Sequence, residues 1–154
     1  MMKKRIWKVP RDQQPTDFDR KIMAFEDAGH IVPPRRLILN DAQIAGIRRS
    51  AEVNTGILDM LEEKIREGMT TEEIDRFVYD FTVSHGAIPA PLHYEGVPKS
   101  CCTSINEVVC HGIPSEYEML MEGDIVNVDV STILGGYYSD ASRMYVIGKT
   151  SEKN

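Results

Sequence analysis

The chain has 154 residues, of which 42% are hydrophobic and 27% charged, enough for one modest domain with a real core. Its formal net charge of −6 argues against a general nucleic-acid binder. No apolar run approaches the ~20 residues that span a membrane, and no apolar stretch follows the basic start, so neither an anchor nor a signal peptide is read. Cys101, Cys102 and Cys110 are odd in number and form no C-x-x-C. They point away from a disulfide framework or a structural zinc site and toward a reducing cytoplasm.

Residues 1–40 hold Pro10, Pro15, Pro33 and Pro34 among mixed charges and do not read as a packed unit. They suggest an extension with a short helix around Asp17 to Ala28. Its basic start (Lys3, Lys4, Arg5, Lys8, Arg11) reads as a solvated tail or, with less support, as a ribosome contact.

Asn40 and Gln43 have the spacing of a helix N-cap and capping box. Ile44, Ile47, Ala51, Asn54, Leu58, Leu61 and Ile65 then step by three and four, one face of a long amphipathic helix that Gly68 ends. Thr70 and Glu73 open a second helix with the face Ile74, Phe77, Val78 and Phe81, stopped by Gly86. Both stripes read as core.

Three prolines and Gly96 forbid a regular helix over Ala87 to Ser100. A loop this long and apolar is either a binding element or a connection crossing the core. Cys101 to His111 returns to β character, with His111 at the strand end before Gly112-Ile113-Pro114. A lone histidine there is more often structural or exposed than catalytic. Ser115 to Glu122 is an acidic connection, and Gly123-Asp124 turns the chain into a hairpin.

Along Ile125 to Ile133 the polar residues are Asn127, Asp129 and Ser131, all on one face. Val126, Val128, Val130 and Thr132 take the other. Gly135-Gly136 suits a two-residue turn, and the return strand runs from Tyr137 to Ile147. Such a turn pairs Asp129 with Ser142 and Ser131 with Asp140, leaving the two aspartates diagonal on one face, at most ~7–8 Å apart at Cβ. The hairpin would then carry two carboxylates into a buried place, suited to a shared metal centre. A three-residue turn or a bulge would separate them. The plainer alternative has Asp129 accepting backbone amides and Asp140 capping a turn.

KSCCTSINEVVCHGIP (Lys99–Pro114), followed by GDIVNVDVSTILGGYYSDASRMYVIG (Gly123–Gly148), closely resembles the type I methionine aminopeptidases over roughly residues 41–149. The resemblance implies an α+β chain with the pita-bread (creatinase/aminopeptidase-like) fold, first half only: two helices against a curved antiparallel sheet. On it, 1–40 is an N-terminal extension, 41–149 the N-terminal half of the aminopeptidase-like domain, and 150–154 a truncated end. It implies metal-dependent removal of the N-terminal methionine from nascent proteins, using two divalent metal ions (Mn, Fe, Co or Zn). Asp129 would ligate one ion and Asp140 would bridge both. His111 would hydrogen-bond the substrate near the scissile amide. Tyr94 and Cys102 fall where the family lines its methionine pocket, beside Pro91 and Val97, where some relatives have Cys and an aromatic residue. One further His ligand and two Glu ligands are expected beyond Asn154, so this chain is expected to be inactive by itself. The alternatives are a non-catalytic binding protein and a proline-specific peptidase of the same fold.

Overall fold

A computed structural model describes residues 5–149. The chain divides into two compact units, Met1–Asp41 and Ala42–Asn154. The ending expected at 150–154 lies outside the described residues, as do Lys3 and Lys4 of the basic start.

The first unit holds helix α1 (Asp17–Asp27), opened by a capping box between Thr16 and Asp19, and a 3₁₀ turn at Arg35–Leu37. It packs more closely than its composition suggests. Asp19 and Trp7 are 1% and 2% exposed, and the Trp7 indole Nε1–H donates to Asp19 Oδ1 at 3.0 Å. Arg35 Nε donates to the same oxygen at 2.9 Å, while Thr16 N–H and Oγ1–H serve Oδ2 at 2.9 and 2.7 Å. A carboxylate with this many donors can be buried without cost in unmet hydrogen bonds, and no apolar stripe announces it. Arg5, counted with the basic start, is paired with Glu26 and Asp27.

The second unit is built on helices α2 (Asp41–Lys64) and α3 (Thr71–Ser84) and strands β1 (Ile88–Pro89), β2 (Cys102–Ile105), β3 (Ile125–Leu134) and β4 (Tyr137–Val146). All pairings are antiparallel. Strand β4 pairs with β3 over its whole length, and β1 and β2 pair with opposite ends of β3 on its other side. The hairpin has the expected register: Leu134 opposes Tyr137, Asp129 opposes Ser142 and Ser131 opposes Asp140. Gly135 and Gly136, at φ +58° and +81°, take the left-handed conformations of a tight two-residue turn. Val126, Val128, Val130 and Thr132 are fully buried. They form one core with Ile57, Leu58 and Leu61 of α2 and Ile74 and Val78 of α3. Each buried aliphatic side chain contributes about 1.5–3 kcal/mol, so this valine face is what anchors the helices to the sheet.

Two sequence expectations are corrected. The face of α2 turned to the core carries Gly46, Ser50, Val53, Asn54, Ile57, Leu58 and Leu61; Ile44 is exposed and Ile47 and Ala51 only half-buried. Asn54, Leu58 and Leu61 are buried as expected, whereas a search for apolar spacing passes over Ser50, and both polar residues are held by the strand backbone. Asn54 Nδ2 donates to the Val130 carbonyl at 2.6 Å, and Ser50 Oγ donates to the Thr132 carbonyl at 3.2 Å. The β segment expected over Cys101 to His111 stops at Ile105. Asn106, at φ +50°, ends it by accepting the Ile125 N–H at Oδ1 and donating from Nδ2 to Asp124. His111 therefore lies not at a strand end but in a returning loop, at φ +59°.

Candidate metal and peptide site

On the face of β3 away from the helices, Asp129 stands between Cys102 of β2 and Ser142 of β4. Its carboxyl is half-buried, and Asp140 on β4 is exposed. The expected buried location thus applies only in part, because the helices cover the valine face and leave this one open. Ser131, directly opposite Asp140, donates its hydroxyl to Asp140 Oδ1. The Asp129 carboxyl is raised above its usual range, first by burial and then by the negative charge of Asp140; His111 acts in the opposite direction.

A cavity of about 480 Å³ opens beside Asp129. Its walls bring together Tyr94, Cys102, His111 and Asp129, from four separate segments of the chain, with Pro91 and Val97 among the apolar lining. The Pro-rich segment after β1 supplies Pro91, Tyr94 and Val97, so it is a wall of this cavity. His111 is brought in by the loop that folds back onto β2, where the Thr103 N–H donates to the Gly112 carbonyl at 2.9 Å. Burial, then the Asp129 charge, raises the Cys102 thiol above its usual range, so it presents a neutral, polarisable surface. Asp140 is not part of the wall but adjoins it through Ser131, which is. Sequence reasoning missed Ser131, Tyr138 and Glu95 as lining residues. Only Ser131 left a signal, its pairing with Asp140.

Neither Asp129 nor Asp140 is ion-paired to a Lys or Arg among the described residues. Two carboxylates on one face, with the charge of Asp140 raising the proton affinity of Asp129, fit a divalent cation. They offer two carboxylates, and no group of three or more His, Cys, Asp or Glu suited to a metal occurs among the described residues.

The model of metallopeptidase family M24 matches residues 45–154. The chain belongs to metallopeptidase family M24. This M24 chain is 48% identical over 118 residues to the methionine aminopeptidase of Chlamydia trachomatis, a match covering 75% of this chain and 40% of that protein. To the mitochondrial methionine aminopeptidase 1D of Danio rerio it is 44% identical over 116 residues, covering 75% and 34%. The crystal structure of methionine aminopeptidase from Rickettsia prowazekii superposes with a TM-score of 0.73 at 44% identity, covering 75% of this chain and 46% of that one. The prolidase from Pyrococcus furiosus gives 0.63 at 23% identity, covering 77% and 33%, a likeness of fold alone. The architecture is a portion of the pita-bread fold, and the likeness to methionine aminopeptidases stands as the motifs implied. The chain spans less than half the length of each of these relatives. A metallopeptidase of this family works with divalent metal.

Proposed function

We propose that this chain serves metal-dependent removal of the N-terminal methionine from nascent proteins. The observation that carries the reading is the placement of Asp129 and Asp140 on one sheet face, one diagonal apart, beside a cavity walled by Tyr94, Cys102 and His111. Asp129 and Asp140 would hold the metal, with Asp140 serving both ions of a two-ion centre. A divalent ion of the Mn, Fe, Co or Zn class supplies a Lewis acid and a more acidic bound water when present. The apolar wall of Pro91, Tyr94, Val97 and Cys102 receives the thioether side chain, whose polarisable sulfur suits the neutral Cys102 thiol. His111, at the same wall, donates a hydrogen bond to the amide being cleaved and holds it in place. Three free thiols support a reducing compartment, and we assign the activity to the cytoplasm.

Two carboxylates make an open site, so this chain by itself is expected to bind metal weakly and to leave peptides intact. Calorimetric titration of Mn²⁺ tests the ligands. The wild-type chain gives weak binding, Asp140→Asn reduces it below detection, and His111→Ala leaves it in place. Wild-type binding in Asp140→Asn overturns the assignment of that carboxylate, and loss of binding in His111→Ala makes the histidine a ligand. Release of methionine from a Met-Ala-Ser peptide by the wild-type chain would refute the expected inactivity.

A further inference from the structure

The cavity wall carries a second carboxylate that the proposed chemistry does not use. Glu95 lies between Tyr94 and the Gly96-Val97 bend on the lining. Its backbone has φ +49°, and His93, two residues before, has φ +69°. Side chains rarely adopt this left-handed conformation, and two instances this close persist only where surrounding bonds fix the chain. Those bonds are present: His93 N–H donates to the Val97 carbonyl at 2.8 Å, Val97 N–H to Tyr94 at 2.9 Å and Tyr94 N–H to Pro91 at 3.0 Å. The loop is thus a closed, self-bonded turn, and it presents Glu95 at the cavity on a fixed backbone. Among the described residues no ion pair or side-chain hydrogen bond occupies the Glu95 carboxylate. The nearest lysine in sequence, Lys99, is committed to Glu72. The remaining carboxylate of the lining, Asp129, is the one assigned to metal and would be neutralised there.

We propose that Glu95 is a specificity-determining residue of this cavity, favouring peptides with a cationic side chain at the third position and disfavouring acidic ones. The inference rests on the reading that the cavity receives a peptide N-terminus. With the first side chain against the apolar wall, the residues that follow run toward solvent, and Glu95 is an exposed residue of the lining that they can pass. An unpaired carboxylate there attracts one charge and repels the other.

The test is a two-dimensional NMR titration of this chain with Met-Gly-Lys-amide, Met-Gly-Gln-amide and Met-Gly-Glu-amide at low ionic strength. Affinity is expected to fall in that order, with about a fivefold spread between the first and last, the weight of one charge attracted and one repelled across roughly 8 Å of water. High salt compresses the spread. Glu95→Gln narrows it toward equality, and Glu95→Lys reverses the order; both changes are at an exposed position and leave the core intact. Equal affinities in the wild type, or a spread that survives in Glu95→Gln, overturns the assignment while leaving the cavity as the peptide site. Failure of all three peptides to shift the resonances of Cys102 and His111 overturns the peptide reading and this inference with it.

Discussion

Gly112 holds the loop that brings His111 to the cavity, and Gly112→Ala tests that arrangement directly. A Cβ added there would lie 1.9 Å from the Thr103 carbonyl oxygen, 2.8 Å from the Thr103 carbonyl carbon and 3.3 Å from Ser104 Cα. All three atoms are backbone of β2, so no side chain can swing aside. Reaching ordinary contact at about 3.4 Å requires the loop to retreat by roughly 1.5 Å. Two bonds are stretched by that retreat: Thr103 N–H to the Gly112 carbonyl at 2.9 Å, and Gly112 N–H to Ser104 Oγ at 3.3 Å. Thr103 is 1% exposed, so its amide would be left buried without a partner, a cost of about 1–3 kcal/mol. Urea unfolding followed by circular dichroism should show a loss of that size with an unchanged m-value. The His111 ring resonances should move as well, since the loop carries the imidazole away from Asp129. A stability change below about 0.5 kcal/mol with unmoved His111 resonances would refute the close approach of the two backbones.

Two carboxylates give opposite pH signatures. Asp75 is 8% exposed; its Oδ1 accepts the Ser100 N–H at 2.6 Å and faces Cys101 Sγ at 3.8 Å, so it fixes the chain leading into Cys102. Burial raises its carboxyl above 3.8, only partly offset by the Ser100 amide, so its contribution to stability is complete below that pH and is lost as pH rises through the shifted value. Asp75→Asn keeps the acceptor without the charge and should be at least as stable as the wild type at pH 7. Asp75→Ala strands the Ser100 N–H and should cost about 1–3 kcal/mol, and equal losses in both variants would refute this account. Asp19 has the reverse sign: Arg35, then Thr16, hold its carboxyl well below 3.8, so its contribution is present above that pH and lost as pH falls through the lowered value. Trp7 is the chain's only tryptophan and donates to Asp19, so its emission should stay blue-shifted past pH 3.8 and turn red at stronger acid. Asp19→Ala should show the red-shifted emission already at neutral pH, and an unchanged spectrum would refute the role of Asp19 in holding the indole.

The hairpin and the first turn of α3 were legible in the sequence because both are local. Alternation from Ile125 to Ile133 needs only the pleat, Gly135-Gly136 needs only its backbone freedom, and the Thr70–Glu73 capping box closes within one turn. The pairing of Asp129 and Asp140 with Ser142 and Ser131 follows from that turn, and motif spacing added the family. Of the core face of α2, Asn54, Leu58 and Leu61 were legible, but Ser50 was not, because it is buried through a bond to a strand some eighty residues later. Nor was the packing about Asp19, whose donors Trp7 and Arg35 come from either side of α1. His111 shows the division most clearly. The sequence by itself determined that a histidine precedes a Gly-Ile-Pro turn. Only the tertiary structure decided that this turn folds back on β2 with its glycine pressed against Thr103, delivering the imidazole to the cavity beside Asp129. Hydrogen bonds between segments remote in sequence set such placements, and residue order alone does not encode their distances.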